Sequence, residues 1–156
     1  MTESTNPFNV PMFFHTILFA YQKKLREVLG SGEAIFVHPV LDTINAVDKM
    51  NKLSVIRGDN LDEILENFSR DVVASQVVKK AYFEKVHDEK FVFYVEGCAF
   101  ANPTHDLLKP KDVACPLALV AMSIFQSVTG KKVQIADSEF VSDGSKTPIF
   151  AKPDIS

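Results

Sequence analysis

Tryptophan is absent from this chain, cysteine occurs twice, and glycine and proline number 6 and 8 among 156 residues. Two cysteines do not make the disulfide framework of a small secreted scaffold. So little glycine and proline excludes collagen-like and low-complexity classes. There is no internal repeat and no excess of one charge. Seventeen Lys and Arg face twenty Asp and Glu, for a net charge of −3, so no global field draws the chain to nucleic acid. No glycine-rich loop is present to cradle a phosphate. The opening MTESTNPFNVPMFF lacks a basic region followed by an apolar run and a small-residue cleavage site, and does not read as a signal peptide. The uncharged stretch from Val113 to Gly130 carries Pro116, Ser123, Gln126, Ser127 and Thr129. It is marginal in length and too polar for a membrane span, and it reads as a buried core helix. These absences give the expectation of a cytoplasmic protein with no membrane span and no nucleic-acid partner.

What is present is an ordinary globular composition, 46% hydrophobic and 24% charged, with thirteen phenylalanines. The length suits one domain. We read residues 1–11 as a flexible tail and 12–156 as a single α+β domain. Met12 to Leu29 has helical periodicity through Phe14, Ile17, Leu18, Tyr21, Leu25 and Val28, with Phe13 widening the apolar face. Ala34 to Val37 is a short apolar run, and a second helix starts at Pro39, where proline is tolerated. Leu53 to Ile56 is a short linker or strand. Asn60 caps a third helix, with Glu63 completing a capping box, and that helix runs to about Val78.

The period then changes. Ala81 to Val86 and Phe91 to Gly97 alternate as two strands about a four-residue loop, His87 to Lys90. Cys98 to Lys111 is a long connection, the kind that is often functional in a small domain. Asp112 or Cys115 opens a helix ending at Gly130, apolar on nearly all sides and therefore buried by several neighbours. A second hairpin closes the chain. The fold class is thus α/β in the α+β sense: helices on an antiparallel sheet, with a C-terminal unit of hairpin, loop, buried helix and hairpin.

The chemistry is concentrated in that loop. Cys98, His105 and Cys115 form C-x6-H-x9-C, and two thiolates with one imidazole suit zinc or another soft metal. Asp106 or Asp112 could add a fourth ligand. The spacing is not a compact zinc pattern, and inert buried thiols are the simpler reading. Cys115 beside a helix N-terminus has the setting of a thiolate. With His105 or one of the other histidines as base it could be a nucleophile, though no spacing places one there. His15, on the apolar face of the first helix, reads as a satisfied core or interface histidine.

Val95-Glu96-Gly97-Cys98, Cys115-Pro116-Leu117-Ala118-Leu119 and Gly130-Lys131-Lys132-Val133 fall in the layout hairpin, cysteine, loop, second cysteine opening a helix, hairpin. Over about half the chain this resembles the four-vinyl-reductase-like domains and their relatives in the TRAPP vesicle-tethering complex. The resemblance implies a small α/β domain that binds a hydrophobic small molecule beneath its helices, without the denser cysteine cluster of an iron–sulfur centre. It makes Cys98, Cys115, Leu119 and Met122 the candidate ligand-binding residues. Three functions follow as expectations: a non-enzymatic binding or sensing domain for an apolar ligand, a metal-binding protein using Cys98, His105 and Cys115, or a structural protein that dimerises. The wide apolar face of the first helix gives the expectation of a homodimer, the alternative being that the 34–56 segment covers the same face within one chain.

Overall fold

Two hydrophobic periods divide the chain, one of a helical turn in the first half and one of alternate residues in most of the second, and the structure follows that division. A computed structural model describes residues 10–29, 33–51, 54–101, 104–109 and 113–152. The elements are α1 (Val10–Leu29), α2 (Glu33–Asn51), α3 (Leu61–Ala74), β1 (Lys80–His87), β2 (Lys90–Glu96), a 3₁₀ turn (Thr104–Leu107), α4 (Pro116–Thr129), β3 (Val133–Ile135), β4 (Glu139–Val141) and β5 (Gly144–Ala151). Four helices pack with a five-stranded antiparallel sheet, the α+β class that the patterning requires.

The strand order is β1-β2-β5-β3, with β4 pairing along β5 as well. Register places Phe93 opposite Phe83 on one side and Thr147 on the other, and Phe91 opposite Ile149. These inward positions meet Ile64, Leu65, Phe68 and Val72 of α3 and Leu119, Met122 and Phe125 of α4 in one core. The opposite face carries stacked Tyr82 and Tyr94, with Lys80 over the first ring and Lys146 near the second. At its start β5 passes so close to β2 that a side chain on Gly144 would collide with the Val95 carbonyl oxygen.

Caps explain most boundaries. Asn60 Oδ1 accepts from the Glu63 N–H at 3.0 Å, and Glu63 Oε2 accepts from the Asp59 N–H at 2.9 Å. The α3 N-terminus is therefore closed as the sequence implies. Its other end differs: α3 stops at Ala74, with Gln76 at φ +62°, short of the expected Val78. Val77 and Val78 are apolar because they pack inward on the way into β1. Gly130, at φ +68°, ends α4 in the left-handed conformation that favours glycine.

Three other boundaries are corrected. α1 begins at Val10 rather than Met12, since Pro11 falls in the first turn, where an N–H has no helical partner in any case. The run at 34–37 and the helix expected from Pro39 are one helix, Glu33–Asn51, with Pro39 inside it. The first hairpin turns over Asp88 and Glu89 alone, with a register shift between Lys85 and His87, so its loop has two residues instead of four. The expected tail at 1–9 and the alternative helix start at Asp112 lie outside the described residues. Among the described residues no helix is long and apolar enough to cross a membrane.

Candidate functional site

Between α1 and the C-terminal unit lies a cavity of about 310 Å³. Its wall is built from six parts of the chain. α1 supplies Phe14, His15 and Leu18; the approach to β1 supplies Val77; β2 and the loop after it supply Val95, Cys98 and Phe100. The 3₁₀ turn adds His105, the start of α4 adds Cys115, Pro116 and Leu117, and β5 adds Ser145. No Asp, Glu, Lys or Arg lines it among the described residues.

Local bonding fixes each wall. The Cys115 N–H donates to Ser138 Oγ at 3.0 Å, and Ser138 Oγ is bonded to Thr147 Oγ1 at 2.7 Å, which pins the head of α4 to β5. The Ala114 N–H donates to Gln22 Oε1 at 3.1 Å, and Thr16 and Thr104 share a hydroxyl bond of 2.9 Å, so α1 is held to the loop that covers the sheet. Arg26 pairs with Asp137 at 3.1 Å farther along α1. Phe19 is buried edge-on against Phe140 and near His105, and anchors the helix.

The polar atoms of the cavity are mostly neutral at ordinary pH. Burial pushes the Cys115 thiol up; the adjacent Ser145 hydroxyl and backbone N–H groups at the helix start offset only part of that push. This corrects the expectation of a thiolate: the helix terminus is there, but loss of solvent outweighs it. Burial also raises the Cys98 thiol, with neighbouring Cys115 adding to the effect. Burial, with a smaller contribution from neighbouring His105, lowers the His15 imidazole to about 4. His105 is lowered by burial as well, while its bond to the Val141 carbonyl opposes the shift. That bond is 3.0 Å, with Nδ1–H as the donor.

Two polar atoms in the wall lack a hydrogen bond of ordinary geometry: His15 Nε2, and Ser145 Oγ, which has only the weakly bonding Cys115 thiol beside it. His15 is therefore not the satisfied histidine expected from its place on α1. Cys98, His105 and Cys115 do share the cavity, as the loop spacing allows. However, no group of three or more His, Cys, Asp and Glu side chains among the described residues is arranged to hold a metal ion. The Cys115 thiol is buried at the head of α4, and His105 donates Nδ1–H to the Val141 carbonyl. A raised thiol beside a lowered imidazole is also the reverse of an activated thiolate–imidazolium pair. Leu119 and Met122 are buried in the core and are not part of the wall.

The sequence missed His15 and Ser145 as site residues. The one available signal for Ser145 was its polarity at an inward position of β5, in phase with Ile149 and Ala151.

No family model matches the chain. None of the curated proteins matches it either. Among solved structures, one from work on "Modulating Heme Redox Potential Through Protein-Induced Porphyrin Distortion" aligns with TM-score 0.48 and 11% identity, over 100% of this chain and 79% of that one. A mutant H-NOX of T. tengcongensis aligns with TM-score 0.49 and 11% identity, over 96% of this chain and 78% of that one. At this level the correspondence is loose, and it defines neither a family nor a ligand for this chain.

Proposed function

We propose that the protein is a small cytoplasmic binding or sensing domain that holds an apolar molecule in the cavity beneath α1. The observation that carries this reading is the wall itself: about 310 Å³, faced by phenylalanine, leucine, valine and proline, with a few neutral polar atoms and no charged side chain among the described residues. Small-molecule sites have that character, an apolar surround with a few placed polar groups, and their volumes begin near this size. Native mass spectrometry of gently purified protein tests the reading. Co-purified small molecules, or saturable uptake of an apolar dye that displaces them, are expected. A uniformly ligand-free protein that takes up no apolar probe would overturn it.

A second feature supports self-association. Phe14, Leu18, Tyr21, Leu25 and Val28 follow a heptad-like spacing along α1, and four of the five are exposed, Tyr21 at 67% and Val28 at 66%. A helix seam of this kind pairs with a second helix. We propose a two-fold homodimer through α1.

A further inference from the structure

We infer that the molecule this cavity takes is uncharged and amphipathic: an apolar body carrying a hydroxyl or similar small hydrogen-bonding group that meets Ser145 Oγ or His15 Nε2. The inference rests on the cavity being a ligand site and deepens that reading by naming the ligand's chemical class.

Three observations converge on it. Ser145 is 4% exposed and lines the cavity, and its hydroxyl has no hydrogen bond of ordinary geometry, with only the weakly bonding Cys115 thiol beside it. Neighbouring Ser138 and Thr147, equally buried, are bonded to each other, and Ser138 also receives the Cys115 N–H. Gln22 Nε2 and Ser69 Oγ are also unmet but stand outside the cavity wall, so of these atoms Ser145 Oγ and His15 Nε2 are the ones an occupant can reach. A buried polar group left unmet costs free energy, so an occupant that meets it binds preferentially over one that cannot.

His15 Nε2 stands in the same condition on the α1 side, buried and unpartnered in the wall of the same cavity. Its ring is flanked by Phe19, Phe100 and His105, an aromatic surround. With its pKa near 4, His15 is neutral at physiological pH and cannot act as counter-ion to a carboxylate.

The wall holds no lysine or arginine among the described residues, so no other cation replaces it. A carboxylate or phosphate drawn into such a site would be buried without a partner, a cost that binding of an apolar tail does not recover. A hydroxyl both donates and accepts, and it suits either unmet atom whichever proton arrangement each adopts.

The test uses the full chain and three probes of matched size near neutral pH: 2-phenylethanol, ethylbenzene and phenylacetate, followed by chemical-shift titration with resonances of the cavity residues assigned. The alcohol is expected to bind about tenfold more tightly than the hydrocarbon, and phenylacetate to bind weakest. Ser145→Ala and, separately, His15→Phe then identify the group that meets the alcohol. At least one should erase its advantage over ethylbenzene while ethylbenzene binding persists. Equal affinity for all three probes, or an advantage that survives both substitutions, would leave the cavity as a ligand site and overturn this inference alone. No shift at cavity residues with any probe would overturn the binding function and this inference together.

Discussion

The imidazoles of His15 and His105 lie with ring centroids 5.8 Å apart, one carried by α1 and the other by the 3₁₀ turn, in a cluster with Phe19, Phe100 and Phe140. Burial lowers the tendency of both rings to take up a proton, and His105 adds to the effect at His15. The contact between α1 and the loop therefore depends on both rings staying neutral.

This gives the pH dependence a definite sign. His15 has a folded-state pKa near 4 against an unfolded value of 6.5, so between those values the unfolded chain binds more protons. Stability is expected to be full above about pH 6.5 and to fall as pH drops towards 4. The loss is on the order of 1–2 kcal/mol once the ring's partial contact with water is allowed for. His105, shifted the same way, adds to it. Urea melts at a series of pH values would show this slope, and His15→Phe should flatten it. A slope unchanged by that substitution would assign the acid sensitivity to other groups.

Gly144 has no room for a side chain, because the Val95 carbonyl oxygen occupies the place of its Cβ. The obstacle is backbone in the middle of a paired strand, which cannot turn aside as a flexible side chain would. Gly144→Ala is expected to destabilise the fold by roughly 2 kcal/mol or more, read as a lowered urea midpoint. A melt within about 0.5 kcal/mol of the parent would show that β2 and β5 separate there without cost.

Cys98 is partly buried and Cys115 is buried, and both thiols are pushed up by burial. Iodoacetamide near neutral pH should modify Cys98 slowly and Cys115 only as the protein unfolds, because the thiolate is the reacting form. Peptide mapping after timed alkylation distinguishes the two. Rapid labelling of Cys115 in folded protein would contradict its placement at the covered head of α4.

For the α1 seam, light scattering is expected to give twice the chain mass at micromolar concentration. Tyr21→Lys with Val28→Lys should return it to the single-chain mass in protein that still melts cooperatively. These two side chains are exposed and stand outside the cavity wall, so their loss should leave apolar probe uptake intact. A single-chain mass for the parent protein would refute the dimer.

The parts of this fold legible in the sequence were those where one local rule governed a whole segment. Alternation at Phe91, Phe93 and Val95 required a strand with one face buried, and Leu119, Met122 and Phe125 required a helix enclosed by neighbours; both are found. The reading stopped at Pro39 because proline in mid-helix removes a bond and crowds the turn before it, whereas here the helix packs against α4 and continues through the proline. Val77 and Val78 prolonged the apolar pattern of α3 although they serve the cavity and the core. The site was half legible. Cys98, His105 and Cys115 share one loop and its ends, so spacing alone could bring them together. His15 and Ser145 come from opposite ends of the chain, and only the docking of α1 against the start of β5 makes them neighbours of one cavity.

The ties that hold α1 have a thermodynamic consequence. A shared hydroxyl bond at Thr16, a side-chain amide at Gln22, an ion pair at Arg26 and the Phe19 anchor fasten a helix whose remaining apolar face points outward. Such a helix is a unit that can open while the α3–α4–sheet core stays closed, at a free energy below that of global unfolding. Because α1 is also one wall of the cavity, a molecule held there binds the closed form alone and deepens the closed basin in proportion to the logarithm of its concentration over its dissociation constant. Occupancy inside the protein is thereby translated into slower amide exchange along α1, so an interior event becomes readable on the helix that forms the outer surface.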